Sequence, residues 1–438
     1  MTAYLPDSAT LQKASRIGFL ADMIEWNEQH LVLRDALRKF IETEIAPNIE
    51  ELEHGDTPPY DVLRKMYKTF GIGDMGVQRF ERQMAREKED RAARERGEEP
   101  KAREKREVSF EQGLDSAAMQ LLPIIELCRY CPGMVTAMGV SVGLTAGAIR
   151  AKGTIEQKER FVPELLTFEK VGAWAITEPG SGSDAFGSMQ STAKRDGDGY
   201  VLNGSKTFIT NGPYADTLVF ICKLDEGNDP KERKILNFIL DKGMDGLEQS
   251  KPLRKMGMHS SPTGQLFLDD VRVGRDRLIG ETEGSGTGRA GAKATFNTER
   301  VGVAAMALGV VERCLELCIE YSKTRVQFGQ PIGQFQLIQN KLAEMEVARM
   351  NLQQLVFSQI ERAALGKPSS MAEASACKLY AARAAMNVAL EAVQLYGGNG
   401  YMAEFHVEQL CRDAKVLQIY AGTDEIQISQ IARSLLAA

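Results

Sequence analysis

Little in this chain of 438 residues points to a metal, a membrane or a nucleic acid. It has four histidines (His30, His54, His259 and His406), and no two stand at metal-ligand spacing. Its seven cysteines (Cys128, Cys131, Cys222, Cys314, Cys318, Cys377 and Cys411) are odd in number and scattered, which fits reduced thiols rather than a disulfide framework. Cys128 and Cys131 form a CxxC. No second pair or flanking histidine cluster accompanies it, which speaks against zinc, and no βαβ pattern surrounds it as a redox dithiol would need. Buried helical thiols are the expectation. A net charge of −6 gives no reason to expect a nucleic-acid partner. No continuous apolar run is expected to reach the roughly 20 residues of a membrane-spanning helix. The N-terminus lacks a basic-then-apolar leader and carries Asp7, so a cytoplasmic chain without a cleaved leader is expected. What remains is an ordinary globular composition, 43% hydrophobic and 26% charged, and a length that suits about two or three domains at ~150 residues each.

The hydrophobic period divides the chain in three. Residues 26–49 carry Leu31, Leu33, Leu37, Phe40 and Ile41 at helical intervals until Pro47 ends or kinks the run. A short helix is expected over 61–70, stopped by Gly71 and Gly73. The stretch 79–107 is mostly charge of mixed sign, with Glu and Arg recurring at i,i+4. This suits a solvated helical excursion or loop, with a docking surface as the functional alternative. Residues 121–131 and 134–151 are denser in apolar side chains, and the second is rich in Gly and Ala. Thr154 with Gln157 three residues on reads as a capping box. Near Gly172 the period changes from 3.6 to 2. Residues 200–210, 217–223, 234–240 and 265–273 read as strands between turn signals at 196–199 and 211–213. No helix intervenes, so the middle is an antiparallel β-domain. From 295 the pattern is helical again, over 295–324, 334–365 and 370–396, as in an antiparallel bundle. The expected fold is a multidomain α+β chain: an N-terminal helical domain (1–171, with the charged insertion at 79–107), a middle antiparallel β-domain (172–283) and a C-terminal four-helix-bundle-like domain (284–438).

Several short motifs bear on chemistry. Residues 286–291 spell GxGxxG between a β-run and a helix. A dinucleotide fingerprint needs a parallel strand after that helix, and only helices follow, so the motif reads as an interdomain hinge. Residues 177–184 read TEPGSGSD, a turn whose Ser181, Ser183 and amides suit a phosphate, with a plain β-turn as the alternative. Residues 397–400 (GGNG) and 421–423 (AGT) are glycine turns flanking an Arg412-bearing helix, where backbone can approach a ligand closely.

TEPGSGSD, followed in order by FITNG (208–212), RVQFG (325–329), GGNG and AGT, closely resembles the acyl-CoA dehydrogenase family over nearly the whole chain, the segment 79–107 excepted. The resemblance implies an FAD-dependent oxidoreductase acting on a CH–CH pair, as in fatty-acid β-oxidation. A carboxylate would remove the α-proton of an acyl-CoA thioester, flavin N5 would take the β-hydride, and a trans-2-enoyl-CoA would leave. Electrons would pass to electron-transfer flavoprotein, and the assembly would be a homotetramer or homodimer. Position by position, the resemblance implies that Ile176, Thr177, Phe208 and Thr210 line the flavin ring and that Ser183 reaches the pyrophosphate. Thr423 and Glu425 would touch the adenosine or pyrophosphate end. Arg325, Phe328, Gln394, Gly397 and Gly398 would serve a neighbouring subunit's FAD. On the substrate side it implies Arg300 for the CoA portion, with Ser141, Tyr420, Ala421 and Gly422 near the thioester.

One departure stands out. Many relatives carry the catalytic Glu where this chain has Ala421, and a methyl group accepts no proton. Isovaleryl-type and long-chain members take the base from an earlier helix. The matching segment, 296–301 (FNTERV), places Glu299 there. Alternatives within the same fold are an acyl-CoA oxidase, a dehydrogenase of acyl-carrier-protein thioesters, and a non-catalytic flavin-binding scaffold. The residues leave chain length and branching open.

Overall fold

The computed structural model describes residues 26–99, 109–284, 289–367 and 369–437, with backbone alone at 289–298 and 301. The first two glycines of the GxGxxG motif, Gly286 and Gly288, and the end of the charged insertion (from 100 on) fall outside the described residues.

The N-terminal helices are α1 (Glu28–Phe40), α2 (Ile49–His54), α3 (Tyr60–Thr69), α4 (Ile72–Glu95), α5 (Phe110–Cys128), α6 (Pro132–Met138), α7 (Ala146–Lys152) and α8 (Ile155–Leu166). Pro47 lies in a 3-10 segment, Ala46–Asn48, where the run of α1 ends. Gly71 takes a left-handed φ of 61° and separates α3 from α4, but Gly73 continues as helix and stops nothing. The charged segment is less solvated than its composition suggests. Helix α4 buries Phe80, Met84 and Ala93 and pairs across to α8 through Lys158–Glu87 and Lys88–Glu159, both 2.6 Å. Thr154 and Gln157 form the expected capping box.

A further correction concerns the apolar stretch Pro132–Lys152. Its 21 residues are long and apolar enough to cross a membrane by length and composition, and half of its most apolar window is buried inside the protein. Polar groups and a π-helical turn, Gly139–Thr145, interrupt it.

The middle sheet orders its strands β1 (Gly172–Ala175), β4 (Thr217–Leu224), β2 (Thr192–Asp196), β3 (Gly199–Thr210), β7 (Thr263–Val273) and β6 (Leu247–Gln249), with β5 (Ile235–Asp241) also on β4. The expected antiparallel pairing holds for β2–β3, β3–β7, β4–β5 and β6–β7, but β1 and β2 run parallel to β4. The sheet is therefore mixed. Strand β4 is buried throughout. Leu218, Phe220 and Cys222 face one apolar layer, while Val219 and Ile221 face another built with Phe161, Val162 and Leu165 of α8. Period-2 alternation between two covered faces produces a near-continuous apolar run.

The C-terminal part comprises α9 (Arg289–Thr324), a hairpin β8 (Val326–Gln327) and β9 (Gln330–Pro331), then α10 (Gln336–Ala364), α11 (Met371–Tyr396), α12 (Val407–Val416) and α13 (Asp424–Leu436). It shares one hydrophobic core with α1, α3, α5 and α6. Helices α5 and α9 approach closely at Gly309, where a Cβ would lie 2.2 Å from the Ile125 carbonyl oxygen. Gly309→Ala is expected to destabilise the fold by about 1–3 kcal/mol through overpacking; an unchanged urea midpoint would contradict this contact.

All three parts meet at a buried polar junction. Glu53 of α2 accepts the Ser260 N–H at 3.3 Å, and its backbone oxygen faces His259 Nδ1 at 2.5 Å. Asp413 of α12 accepts the Met258 N–H and, at 3.2 Å, the Gln409 side-chain amide. Burial, followed by the charge of Glu53, pushes the Asp413 carboxyl up to about 7.

Candidate active site

Two segments of the β-domain form one edge of the site. Strand β1 leads into Ile176, which is buried, and Thr177, which is partly exposed. Alongside, β3 and β7 slip register between Lys206 and Ile209. Such a bulge re-aims side chains. Lys206 turns fully inward, whereas Phe208, at a φ of 57°, turns outward and is 68% exposed. Thr210, by contrast, stays in the ladder opposite Thr263. The two segments are tied together. Thr207 N–H donates to the Thr177 carbonyl at 2.9 Å, and Lys206 Nζ donates to the Ile176 carbonyl at 3.1 Å and to Glu178 Oε1 at 2.8 Å. Glu178 further accepts the N–H groups of Gln190 (2.6 Å) and Ser191 (2.9 Å). Burial pushes the Glu178 carboxyl up, but Lys206 and these donors bring it below its usual value.

In the turn beyond, Glu178 and Ser181 exchange backbone hydrogen bonds, and the Ser181 hydroxyl is used internally on the Asp184 carbonyl at 2.8 Å. Ser181 is therefore not free for a phosphate, whereas Ser183 is exposed. No atom lies within 4 Å of a Cβ built at Gly180 or Gly182.

The second edge comes from the C-terminal helices. Glu299 and Arg300 sit on α9 beneath the turn between α12 and α13. In that turn Ala421 has a φ of 53° and Gly422 a φ of 89°. A Cβ on Gly422 would lie 3.6 Å from Arg300 Nη2 and 2.7 Å from Gln427 Nε2. Arg300 is buried and reaches Ser375 Oγ at 3.4 Å. Glu299 is partly exposed. Desolvation pushes its carboxyl up to about 7, against the pull of Arg300 and Lys378. Tyr420 donates to Met306 Sδ at 3.4 Å. Thr423 caps α13, its hydroxyl accepting the Ile426 N–H at 3.4 Å, and Glu425 is exposed.

Three residues not singled out in the sequence complete this edge. Lys378 of α11, whose side chain is fully buried, donates to the Gly422 carbonyl at 2.8 Å and lies 3.7 Å from Asp424. Gln427, also fully buried, donates to the Ala421 carbonyl at 3.1 Å and to the Gly422 carbonyl at 2.7 Å. Arg383 meets Asp424 from outside at 3.1 Å. A lone lysine in the otherwise Ala-rich, buried face of 374–389 was the available signal for the first.

Other expected residues lie elsewhere. Phe328 and Gly329, both at positive φ, form the two-residue tip of the β8–β9 hairpin, as a type I′ turn requires. Phe328 is 93% exposed, and Arg325, Gln394, Gly397 and Gly398 are exposed too. Ser141 is a correction: it is fully buried and its hydroxyl accepts the Gly172 N–H at 2.8 Å, so it ties the π-turn to β1 and is not open to a substrate. The open positions near it are Gly139 and Gly143, where a Cβ would meet nothing within 4 Å. Six of the seven cysteines are buried and the seventh, Cys411, is partly so. The described residues contain no cluster able to hold a metal ion.

A bulge that exposes an aromatic ring, glycines with open space and a desolvated, partly exposed carboxyl beside two cations suit a flat cofactor and a C–H acid as substrate. Comparison with known proteins decides the matter. Family models for the acyl-CoA dehydrogenase N-terminal, middle and C-terminal domains match residues 111–169, 173–271 and 286–436.

The chain belongs to the acyl-CoA dehydrogenase family.

An acyl-CoA dehydrogenase of Bacillus subtilis (strain 168) is 36% identical over 409 residues, covering 93% of this chain and 98% of the relative. The structure of butyryl-CoA dehydrogenase from Megasphaera elsdenii matches with a TM-score of 0.78 at 33% identity, covering 94% of this chain and 99% of that one. A chain from the structure reported as "Electron transferring flavoprotein of Acidaminococcus fermentans: Towards a mechanism of flavin-based electron bifurcation" also matches with a TM-score of 0.78, at 32% identity and with 95% and 100% covered. The protein is an oxidoreductase of this family, with the family's three-part fold, and its cofactor is FAD. The fit is good: the exposed Phe208 ring and the open glycines 180 and 182 offer what an isoalloxazine and a pyrophosphate need.

Proposed function

We propose that this enzyme dehydrogenates an acyl-CoA thioester between its α and β carbons to give a trans-2-enoyl-CoA, with Glu299 as the base. The observation that carries the reading is the position of Glu299. It is a desolvated carboxyl, raised to about 7, next to buried Arg300 and below a glycine turn that lacks a carboxylate of its own at Ala421.

The α-proton of a thioester is too weakly acidic for an ordinary aqueous carboxylate. Desolvation makes Glu299 a stronger base than a solvated Glu. The backbone N–H of Ala421 donates to the thioester oxygen and stabilises the developing enolate. Arg300 binds the CoA portion, and Tyr420 and Gly422 bound the acyl end. Ile176, Thr177, Phe208 and Thr210 hold the flavin ring, Ser183 the pyrophosphate, and Thr423 and Glu425 the adenosine or pyrophosphate end. FAD, when bound, supplies the acceptor for the β-hydride. Exposure of Arg325, Phe328, Gln394, Gly397 and Gly398 supports their serving a neighbouring subunit's cofactor in a homodimer or homotetramer. Residues 1–171, 172–283 and 284–438 would act as the three domains of that arrangement. Electron-transfer flavoprotein is the proposed acceptor, a reading that the likeness to the Acidaminococcus fermentans chain supports. The bacterial relatives support a cytoplasmic setting.

The test is a panel of straight, branched and alicyclic acyl-CoAs with an artificial electron acceptor. Turnover of at least one is expected, with kcat/KM rising as pH climbs through about 7. The sign follows from the raised carboxyl: below about 7 the protonated form dominates and cannot accept a proton. No turnover on any thioester would end this reading. Peroxide formation without the acceptor would move it to an oxidase.

A further inference from the structure

The turn at Ala421 and Gly422 is an unusual thing to find beside a reacting carbonyl. Ala421 is a non-glycine residue at a φ of 53°, a conformation that costs an L-residue roughly 1–2 kcal/mol and persists only where its surroundings hold it. Here the surroundings are specific. Both carbonyls of the turn point to buried donors: Gln427 Nε2 contacts Ala421 O at 3.1 Å and Gly422 O at 2.7 Å, and Lys378 Nζ contacts Gly422 O at 2.8 Å. Lys378 comes from α11 and Gln427 from α13, so two helices clamp the turn from its carbonyl side. The clamp is supported in turn. Asp424 lies 3.7 Å from Lys378 and is braced by Arg383 at 3.1 Å and by the Gln418 side-chain amide at 3.5 Å. A peptide whose carbonyl is fixed has its plane fixed as well. The clamped carbonyls share planes with the Gly422 and Thr423 N–H groups, which are held directly, and the Ala421 N–H, one peptide earlier, is held through the Ala421 backbone that the clamp keeps at its positive φ.

We infer that Lys378 and Gln427 are positioning residues: they clamp the Ala421–Gly422 turn so that its backbone N–H is preset for the thioester oxygen, and Lys378 also places a fixed cation beside Glu299. Neither touches the reacting atoms. The inference rests on the dehydrogenase reading above and deepens it. The charged groups around Glu299 are Arg300 of its own helix, Lys378 of α11 and the Tyr420 hydroxyl side; those around Lys378 are Asp424, Arg300 and Glu299. Burial pulls the Lys378 ammonium down to about 8, with Asp424 opposing, so it is still mainly charged at pH 7.

Two variants separate the two parts of the inference. Lys378→Met removes a clamp and the cation. Gln427→Leu removes a clamp and leaves the cation. Hydrogen exchange of the full FAD-loaded enzyme reads the clamp without any substrate: amides of residues 419–424 are expected to exchange roughly fivefold faster or more in both variants. In turnover, both are expected to lose kcat by roughly 10–100-fold with little change in KM, because a misplaced donor costs transition-state stabilisation rather than binding. The acid limb of the pH profile is expected to move up by about one unit in Lys378→Met, where an opposite charge has gone, and to stay in place in Gln427→Leu. Wild-type exchange rates in both variants, or loss of kcat with neither a faster turn nor a moved limb in Lys378→Met, would overturn the inference. The wild type is the control: if it oxidises acyl-CoA and the variants match it, the dehydrogenase reading stands and this one falls. If the wild type turns over no thioester while the variants loosen the turn, the dehydrogenase reading falls and the clamp stands. Should Lys378→Met fail to fold, Gln427→Leu still decides the clamp.

Discussion

Glu299→Gln is expected to lower kcat by roughly 10²–10⁴-fold, the range for loss of a positioned general base. The substitution keeps the size and the hydrogen-bonding oxygen but removes the proton acceptor. FAD content and thermal midpoint are expected to hold, because the ionised form of Glu299 is disfavoured by desolvation to begin with. Stopped-flow reduction of the flavin under anaerobic conditions checks this step apart from reoxidation. A variant that reduces its flavin at the wild-type rate would mean that the base lies elsewhere. No other carboxylate is favoured by the described geometry of the turn: Asp424, the nearest in sequence, is held by Arg383 and Lys378.

The second large effect concerns stability and cofactor retention together. Lys206→Met is expected to destabilise the β-domain by about 3–5 kcal/mol, the usual cost of leaving one partner of a buried pair without the other. Lys206 is fully buried and Glu178 is 5% exposed, so water cannot replace the lost ammonium. The pair also ties the Ile176 carbonyl to the bulge that presents Phe208. Loss should therefore reach the edge proposed to line the flavin before it reaches the whole fold. Guanidinium unfolding gives the first number, and the rate of FAD release from the folded enzyme gives the second. A variant as stable as the wild type and equally tenacious of flavin would show that the pair is incidental.

How much of this could be read in the sequence varied with the physics of each part. The strands around 200–210, 217–223, 234–240 and 265–273 were legible because their side chains alternate between layers, and β3, β4, β5 and β7 lie where the alternation put them. Strand β6 was not, because three residues carry no period. The parallel pairing of β1 and β2 with β4 was invisible for a different reason: register between distant segments leaves no local mark. The capping box at Thr154 depends on two side chains in one turn and so could be read directly. Gly73 misled because glycine inside a helix looks like glycine at its end; here Thr167 and Leu166 crowd that face, and the residue is small for packing. At the site, Glu299 became conspicuous through the vacancy at Ala421. Lys378 and Gln427 did not, since a lysine and a glutamine in helical runs read as solvent-facing until the fold shows them fully buried. Ser141 went the other way, looking available because its neighbours are small, when its hydroxyl is committed to Gly172.

The buried junction of Glu53, His259, Met258 and Asp413 has a consequence for synthesis. Glu53 and His259 are 206 residues apart, and Met258 and Asp413 a further 155. A ribosome adding ~5–20 residues each second delivers the loop about 10–40 s after α2, and α12 roughly as long again. Throughout that interval the nascent N-terminal helices cannot complete their polar contacts or their shared apolar core, which needs residues of α9 and α11. The chain is thus obliged to keep its first third unfinished until its last third has left the tunnel, and the period of exposure to chaperones and proteases is written into the order of its own contacts.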